Sequence, residues 1–208
     1  MRVNVLGNGD HAPIFKRGTP GKLLICNMPP FEIPTNEVYA SVMVDFKMMN
    51  ALTEGHINLD MYDWVLGTRP RKWMEMRPDF YLKYAHKIKG FHQYVPKYAG
   101  NATNFTCGHM AMDYACRKMK ATECHVYGFD SMFDMNLRSY SDLILSSDRG
   151  HMNTYRLANN WRPIWTHMFK EFKDTKFYLY HSHPNIKIEI SDNVEIVVEE
   201  LKKNATQA

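Results

Sequence analysis

The chain has 208 residues, of which 45% are hydrophobic and 23% are charged, as is ordinary for a soluble globular domain. Its formal net charge of +4 suits a nucleotide, a phosphorylated substrate or a nucleic acid without choosing among them. No stretch is long enough to span a bilayer, and the N-terminal apolar run is too short for a signal peptide. The four cysteines form no C-x-x-C pair. We therefore expect a single domain in a reducing, cytoplasmic compartment.

The first three predicted strands all end at a polar residue or a glycine. They cover residues 3–6, 22–26 and 40–44, and they run into Gly7-Asn8-Gly9, Asn27 and Asp45 respectively. In a parallel sheet such ends share one edge, where open α/β sheets bind ligands. Glycines at the end of a strand also allow close approach of the backbone to a ligand. The alternative is that these residues only form turns.

A turn, a helix and a buried strand are predicted between Thr106 and Asp130. Thr106-Cys107-Gly108 is a small-residue turn, and apolar residues then recur at helical spacing as far as Met119. A short strand follows at residues 124–127 and ends in Gly128-Phe129-Asp130. The unpaired N–H groups at the start of this helix point where an anion can bind. An ordinary helix–strand packing unit would have the same pattern.

The segment of residues 67–79 holds four basic residues, two prolines and Trp73. Basic residues beside an aromatic ring suit a nucleic-acid backbone or a stacked base. An exposed loop or lid is the other interpretation, because prolines break long helices. A short strand is predicted before this segment at residues 64–66, and a helix after it near residues 80–89.

The last third of the chain is predicted to contain a lid loop, a helix and three strands. The loop of residues 131–150 is long enough to cover an active site, and a helix interrupted near Pro163 follows it. A strand at residues 176–180 comes next. Alternating apolar residues at 186–190 and 194–198 predict a terminal hairpin around Asp192-Asn193. Residues 201–208 form a polar tail.

Histidines supply the candidate catalytic and metal-binding groups. His151 enters a predicted helix from a loop, and an imidazole can remove a proton from an acceptor hydroxyl near neutral pH. A helix-capping or surface role is the alternative. His181 and His183 lie two residues apart and would face the same side of a strand. Because spacing indicates no third ligand, no metal site is predicted.

The chain resembles the small bacterial sialyltransferases that build lipooligosaccharide termini. The resemblance rests on five short motifs in the same order: Gly7-Asn8-Gly9, Cys26-Asn27, Thr106-Cys107-Gly108, Gly128-Phe129-Asp130 and Asp148-Arg149-Gly150-His151. It extends from about residue 3 to residue 185. It implies one Rossmann-like (GT-A-like), mostly parallel sheet flanked by helices, with a lid loop.

The resemblance also implies the reaction and its residues. It implies a metal-independent inverting glycosyltransferase that needs no cofactor and takes a nucleotide sugar as donor. His151 would be the catalytic base, and Arg149 and Tyr140 would stabilise the leaving phosphate. The donor would lie against Asn8, Asn27, Thr106, Cys107 and Gly108. From their places at the ends of strands we also expect Gly7, Gly9, Asp45 and Asp130 to contact the donor, although Asp45 is not the family's usual residue after the third strand.

Departures from the family pattern leave the donor and the acceptor open. The family has Pro-Ser where this chain has Asp10-His11, a serine in place of Cys107, an arginine in place of Asn104 and a tyrosine in place of Met132. The acceptor is a glycan, or a hydroxymethylated base in viral DNA. The same core would also suit a pterin pyrophosphokinase-like enzyme or a non-catalytic nucleic-acid-binding protein, and a homo-oligomer is left open.

Overall fold

The structure is a computed structural model that describes residues 1–58, 61–134 and 156–201. It is an α/β arrangement in which helices flank a single sheet. The strands are β1 (Arg2–Leu6), β2 (Lys22–Cys26), β3 (Ala40–Met43), β4 (Trp64–Leu66), β5 (Ile88–Phe91), β6 (Glu123–Tyr127), β7 (Lys176–His181) and β8 (Val194–Val198). The helices are α1 (Phe46–Thr53), α2 (Thr68–Glu75), α3 (Pro78–Tyr84), α4 (Cys107–Arg117) and α5 (Arg162–Glu171).

The eight strands of the described chain are all parallel, in the order β5-β4-β3-β2-β1-β6-β7-β8. The chain builds the sheet outward from β1 to β5, then returns to the other side of β1 with β6. The strand order therefore reverses between β1 and β6, and open α/β sheets bind ligands outside the carboxyl ends of the strands at such a point. The predicted α/β parallel sheet is confirmed.

Two apolar layers bury the two faces of the sheet. One face carries Val5 and Val42 and packs against Met110 of α4 and Phe169 of α5. The other face carries Ile25 and is covered by residues of α1 and α2. Strands buried on both faces read as continuous apolar runs, which is why most of them were predictable. Many of the methionines lie in these layers, as expected for core filling.

The prediction of an exposed loop or lid at residues 67–79 is wrong, because most of this segment is helical. Pro70 lies in the first turn of α2 and Pro78 starts α3, and a proline costs little in a first turn. Trp73 is 4% exposed and donates from Nε1 to Asn50 Oδ1 at 3.0 Å. Its ring is therefore a core side chain and cannot stack on a base.

The helix predicted near residues 80–89 ends early, and β5 was not predicted. α3 stops at Tyr84, a short 3₁₀ turn follows at Ala85–Lys87, and β5 then pairs with β4 at the edge of the sheet. No residue of β5 is fully buried. An edge strand with charged and glycine residues has none of the apolar continuity that marks the central strands.

The predicted terminal hairpin is also wrong. The residues 186–190 form no strand, and β8 pairs parallel to β7. The alternation has another cause, since Ile186 and Ile188 pack against the core from an irregular segment. The buried Nδ2 of Asn193 contacts the main-chain oxygens of three residues at 3.0–3.1 Å and so holds the start of β8: Phe169, Phe172 and Thr175.

The described part of the expected lid is packed into the protein. Met132 ends a short 3₁₀ turn, Asp130–Met132, and both it and the following Phe133 are buried, whereas residues 135–150 lie outside the described residues. The polar tail falls outside them from residue 202. The predicted helix near Pro163 corresponds to a π-helical turn, Leu157–Trp161, followed by α5. Across the described ranges, no helix is both long and apolar enough to cross a membrane.

Candidate functional site

The loops that follow β1, β2, β3, β6 and β7 lie along the carboxyl edge of the sheet, because the strands are parallel. Asn8 lies in the first of these loops and donates from Nδ2 to the main-chain oxygen of Cys26 at 2.6 Å. Asn27 has a left-handed backbone, with φ of 60°, and its main-chain N–H donates to Val42 O at 2.9 Å. These bonds fix the loops after β1 and β2 to the carboxyl ends of β2 and β3, so Asn8 and Asn27 lie at the same edge of the sheet.

Helix α4 starts beside this surface. Cys107 donates from Sγ to Val42 O at 2.9 Å, and its sulfur lies 3.7 Å from Asn27 Oδ1. Thr106 is the N-cap, and its main-chain N–H donates to His109 Nδ1 at 3.0 Å. The N–H groups of Cys107 and Gly108 belong to the first helical turn and have no acceptor within the helix. N–H groups at a helix start of this kind can bind an anion.

His109 closes the start of α4 as a neutral imidazole. Its Nδ1 accepts from Thr106, so its Nε2 carries the proton and donates to Trp161 O at 3.1 Å. Burial lowers the pKa of His109 to about 3 and outweighs the bond to Trp161, which acts in the opposite direction. His109 therefore links α4 to the turn before α5 without adding a charge to the site.

All three predicted donor-binding glycines, Gly7, Gly9 and Gly108, are needed for packing between loops. A Cβ on Gly7 would lie 2.7 Å from Gly128 O, and a Cβ on Gly9 would lie 2.6 Å from Asp130 Cγ. A Cβ on Gly108 would collide with the ring of Phe129. The residues closest to these glycines therefore lie in the loop after β6. The structure explains the glycines by packing between loops, whereas the sequence analysis explained them by close approach of the backbone to a ligand.

Two buried oxygens at the switch point have no hydrogen-bond partner among the described residues: Asn8 Oδ1 and Asp130 Oδ1. Asp130 is 4% exposed, and its other oxygen accepts the main-chain N–H of His11 at 3.2 Å. Buried polar atoms are almost always paired, so these two acceptors suit a ligand that brings hydroxyl or amine donors. Asp45 differs from them, because it forms an ion pair with Arg69 at 3.0 Å.

A cluster of histidines and carboxylates lies beside Asp130, and only part of it was considered from the sequence. His181 Nε2 and His183 Nε2 lie 3.0 Å from the two oxygens of Asp134. The ring of His11 stacks on that of His181 with centroids 3.7 Å apart. The spacing of His181 and His183 was noted in the sequence, but His11 lies more than a hundred residues from the other three residues, so no spacing indicates that it joins them.

Hydrogen bonds determine the tautomers of two of these histidines. The Nδ1 atoms of His181 and His183 accept main-chain N–H groups of His183 and Asn185, both at 3.2 Å. Their Nε2 atoms therefore carry protons and donate to Asp134. Burial alone would raise the pKa of Asp134, but His183 and His181 outweigh it and lower that pKa, because the hydrogen bonds that they donate favour the ionised carboxylate. The pair thus clamps a carboxylate.

Metal-ligand atoms also come close in this cluster. One atom each from His11, Asp134 and His181 lies within 4.8 Å of the others, so Asp134 and His11 supply the further ligands that spacing did not indicate. A metal needs a free lone pair on each imidazole. To bind a metal, His181 would have to give up either its bond from the main-chain N–H of His183 or its Nε2 proton. The geometry therefore fits the hydrogen bonds of His181 and His183 to Asp134 better than it fits a metal site.

The three residues predicted to carry the chemistry, His151, Arg149 and Tyr140, lie outside the described residues. Of the predicted donor-binding residues, Asn8, Asn27, Cys107, Gly108 and Asp130 come together at the carboxyl edge. Comparisons of the chain with protein-family models, with curated proteins and with solved structures find no match.

Proposed function

We propose that the protein is an inverting glycosyltransferase that takes a nucleotide sugar as donor and needs no metal. The observation that carries the proposal is the convergence of Asn8, Asn27, Asp130 and the start of α4 at the switch point of the sheet. The resemblance to bacterial sialyltransferases supports it, because these are residues that the shared motifs contain.

Each part of this surface has a role in holding the donor. The N–H groups of Cys107 and Gly108 bind the phosphate, which favours the positive end of a helix dipole. The unpaired oxygens of Asn8 and Asp130 accept hydrogen bonds from ribose or sugar hydroxyls or from a base amine. An acidic side chain on a ribose hydroxyl is a recurrent feature of dinucleotide sites at such switch points.

The proposed chemistry uses the residues that the resemblance implies. An acceptor hydroxyl attacks the anomeric carbon while His151 takes its proton, and the bond from that carbon to the phosphate oxygen breaks. Arg149 and Tyr140 stabilise the charge on the departing phosphate. Inversion follows from a single in-line displacement.

A thermal-shift panel of nucleotide sugars tests the donor. A ligand that binds only the folded state stabilises it by about 2.7 kcal/mol at a hundred times its Kd, so one nucleotide sugar should raise the melting temperature and others should not. Turnover of that donor by His151→Ala then tests the base, with the exposed His56→Ala as the control. Activity of His151→Ala within a few-fold of wild type removes His151 from the role.

A nucleic-acid ligand is a second candidate, either as the acceptor or in a non-catalytic protein. Residues 67–97 hold eight Lys and Arg against two acidic residues, whereas the rest of the chain holds 18 against 20. Within the described residues, Lys72, Arg77 and Lys83 have no carboxylate at ion-pair distance. The exposed part of residues 67–97, here called the basic surface, suits a polyanion.

A groove on the basic surface offers aromatic side chains. It lies between α2, α3 and β5 and has a volume of about 260 Å³, with Arg71, Met74, Glu75, Pro78, Tyr81 and Phe91 as its lining. Tyr81 is 42% exposed, and Arg71 lies over the ring of Phe91 at 5.4 Å. Exposed rings beside basic residues bind single-stranded nucleic acid by stacking.

A further inference from the structure

We propose that Ser182, His11 and Asp130 form a nucleophilic relay in which Ser182 attacks an acyl or phosphonyl electrophile. The Oγ of Ser182 lies 2.7 Å from Nε2 of His11. The Nδ1 of the same ring lies 3.1 Å from Oδ2 of Asp130. A nucleophile within reach of an imidazole that is oriented by a carboxylate is the arrangement that activates serine in unrelated folds.

The surroundings of His11 favour the tautomer that this chemistry needs. Its Nδ1 faces a buried carboxylate, so the proton belongs there and Nε2 offers its lone pair to Ser182. The contact to Asp130 is at ion-pair distance without the alignment of a hydrogen bond, and such catalytic contacts often tighten only when substrate binds. Asp130 also accepts the main-chain N–H of His11 at 3.2 Å.

Stacked rings hold the imidazole in place. His11 stacks on His181, and Phe133 stacks on His181 from its other side with centroids 4.2 Å apart. Asp134 holds His181 in turn. Because the His11 side chain is only 12% exposed, rotation of the ring away from Ser182 would open a gap in this stack. The base is therefore preorganised.

Ser182 is exposed, whereas its two partners are buried or nearly so. The three residues lie on the loops after β7, β1 and β6, which are adjacent strands. An electrophile from solvent therefore reaches Oγ without crossing the core. This position is beside the proposed donor surface, and Ser182 has no part in that surface.

The covalent step is balanced without a cofactor. With a fluorophosphonate, the Oγ–P bond forms as the P–F bond breaks, fluoride leaves, and the Ser182 proton moves to Nε2 of His11. With an activated ester, the Oγ–C bond forms and the alcohol departs with the proton from His11. Water then hydrolyses the acyl-serine by the same path in reverse.

A fluorophosphonate probe with peptide mapping by mass spectrometry tests the relay on the full-length protein. We expect labelling at Ser182, its loss in Ser182→Ala, and unchanged labelling in Ser191→Ala, whose hydroxyl instead contacts Asn193. His11→Gly should label at least tenfold more slowly, and added imidazole should restore part of the rate. Absence of label on Ser182, or wild-type rates in a folded His11→Gly, overturns the proposal.

Asp130 is a positioning residue in this relay, and a double-variant comparison separates that role from a structural one. Asp130→Asn should slow labelling in the wild-type background and have no further effect in His11→Gly. An equal loss in both backgrounds would mean that Asp130 only supports the fold, and would overturn its place in the relay.

The experiments can overturn the relay and the proposed glycosyltransferase activity independently of each other. Ser182→Ala should keep the thermal shift with a nucleotide sugar, since Ser182 does not hold the donor. Labelled Ser182 in a protein that binds no nucleotide sugar leaves the relay standing alone. A retained thermal shift with no labelling leaves only the glycosyltransferase.

Discussion

Asn8 and Cys26 join the loop after β1 to the carboxyl end of β2: Asn8 Nδ2 donates to the main-chain oxygen of Cys26 at 2.6 Å. The same side chain offers an unpaired, buried Oδ1. One residue therefore positions the edge of the sheet with its amide nitrogen and faces the proposed donor with its amide oxygen.

Replacement of Asn8 by alanine should lower both stability and donor binding. Cys26 O loses its partner, which should lower the free energy of unfolding by about 1–3 kcal/mol. The loss of Oδ1 should also reduce the thermal shift given by the nucleotide sugar. Urea denaturation and the shift itself measure the two effects. Asn185→Ala, at an exposed position, is the control, and a full-size shift in Asn8→Ala would place the donor elsewhere.

A methyl group at Gly9 should disrupt the contact between the loops after β1 and β6. The added Cβ would lie 2.6 Å from Asp130 Cγ and 2.7 Å from Gly128 O, so Gly9→Ala should be destabilised by about 1–3 kcal/mol. Gly90→Ala is the matched control, because the nearest atom to its Cβ is the Tyr114 hydroxyl at 4.0 Å. Equal melting temperatures for the two variants would contradict the prediction, because they would show that the two loops accommodate the methyl group without loss of stability.

The central sheet was predictable from sequence because β1, β2, β3, β4 and β6 are buried apolar runs that end at turn residues. The carboxyl edge followed from the same rule, since parallel strands bring their ends together. Asn8 and Asn27 could therefore be placed at one edge of the sheet from the sequence. β5 escaped prediction because an edge strand lacks that apolar pattern.

The histidine cluster was not predictable, for a different reason. His11 and His181 stack on each other although 170 positions separate them. Their contact depends on β1, β6 and β7 being neighbours, and strand order leaves no local pattern in the sequence. Trp73 is the opposite case, in which a local pattern was present but misleading. Its basic neighbours predicted a ring at the surface, whereas the ring is buried by the packing of α2 and donates a hydrogen bond to Asn50.

The buried His109 should make stability depend on pH. Its folded-state pKa is about 3, below the ordinary 6.5, so the unfolded chain binds more protons between these values. Stability is therefore full above pH 6.5 and falls as the pH decreases, by up to about 1.4 kcal/mol per pH unit. His109→Asn removes this titrating group. Its free energy of unfolding, measured by urea at pH 7, 6 and 5, should fall less steeply than that of wild type; parallel curves would contradict the prediction.

Charge reversal on the basic surface tests whether this surface binds nucleic acid or only faces solvent. For single strands, log Kobs changes with log salt by about −0.7 for each phosphate neutralised. Lys72→Glu/Lys83→Glu removes two such contacts, so its salt slope should be shallower by about 1.4 in fluorescence anisotropy with a single-stranded oligonucleotide. Lys118→Glu/Lys187→Glu makes the same change in net charge outside residues 67–97. If both pairs reduce the salt slope equally, the protein attracts the strand by its overall charge. If the wild type does not bind the oligonucleotide at all, nucleic acid is excluded as the ligand and a glycan is left as the proposed acceptor.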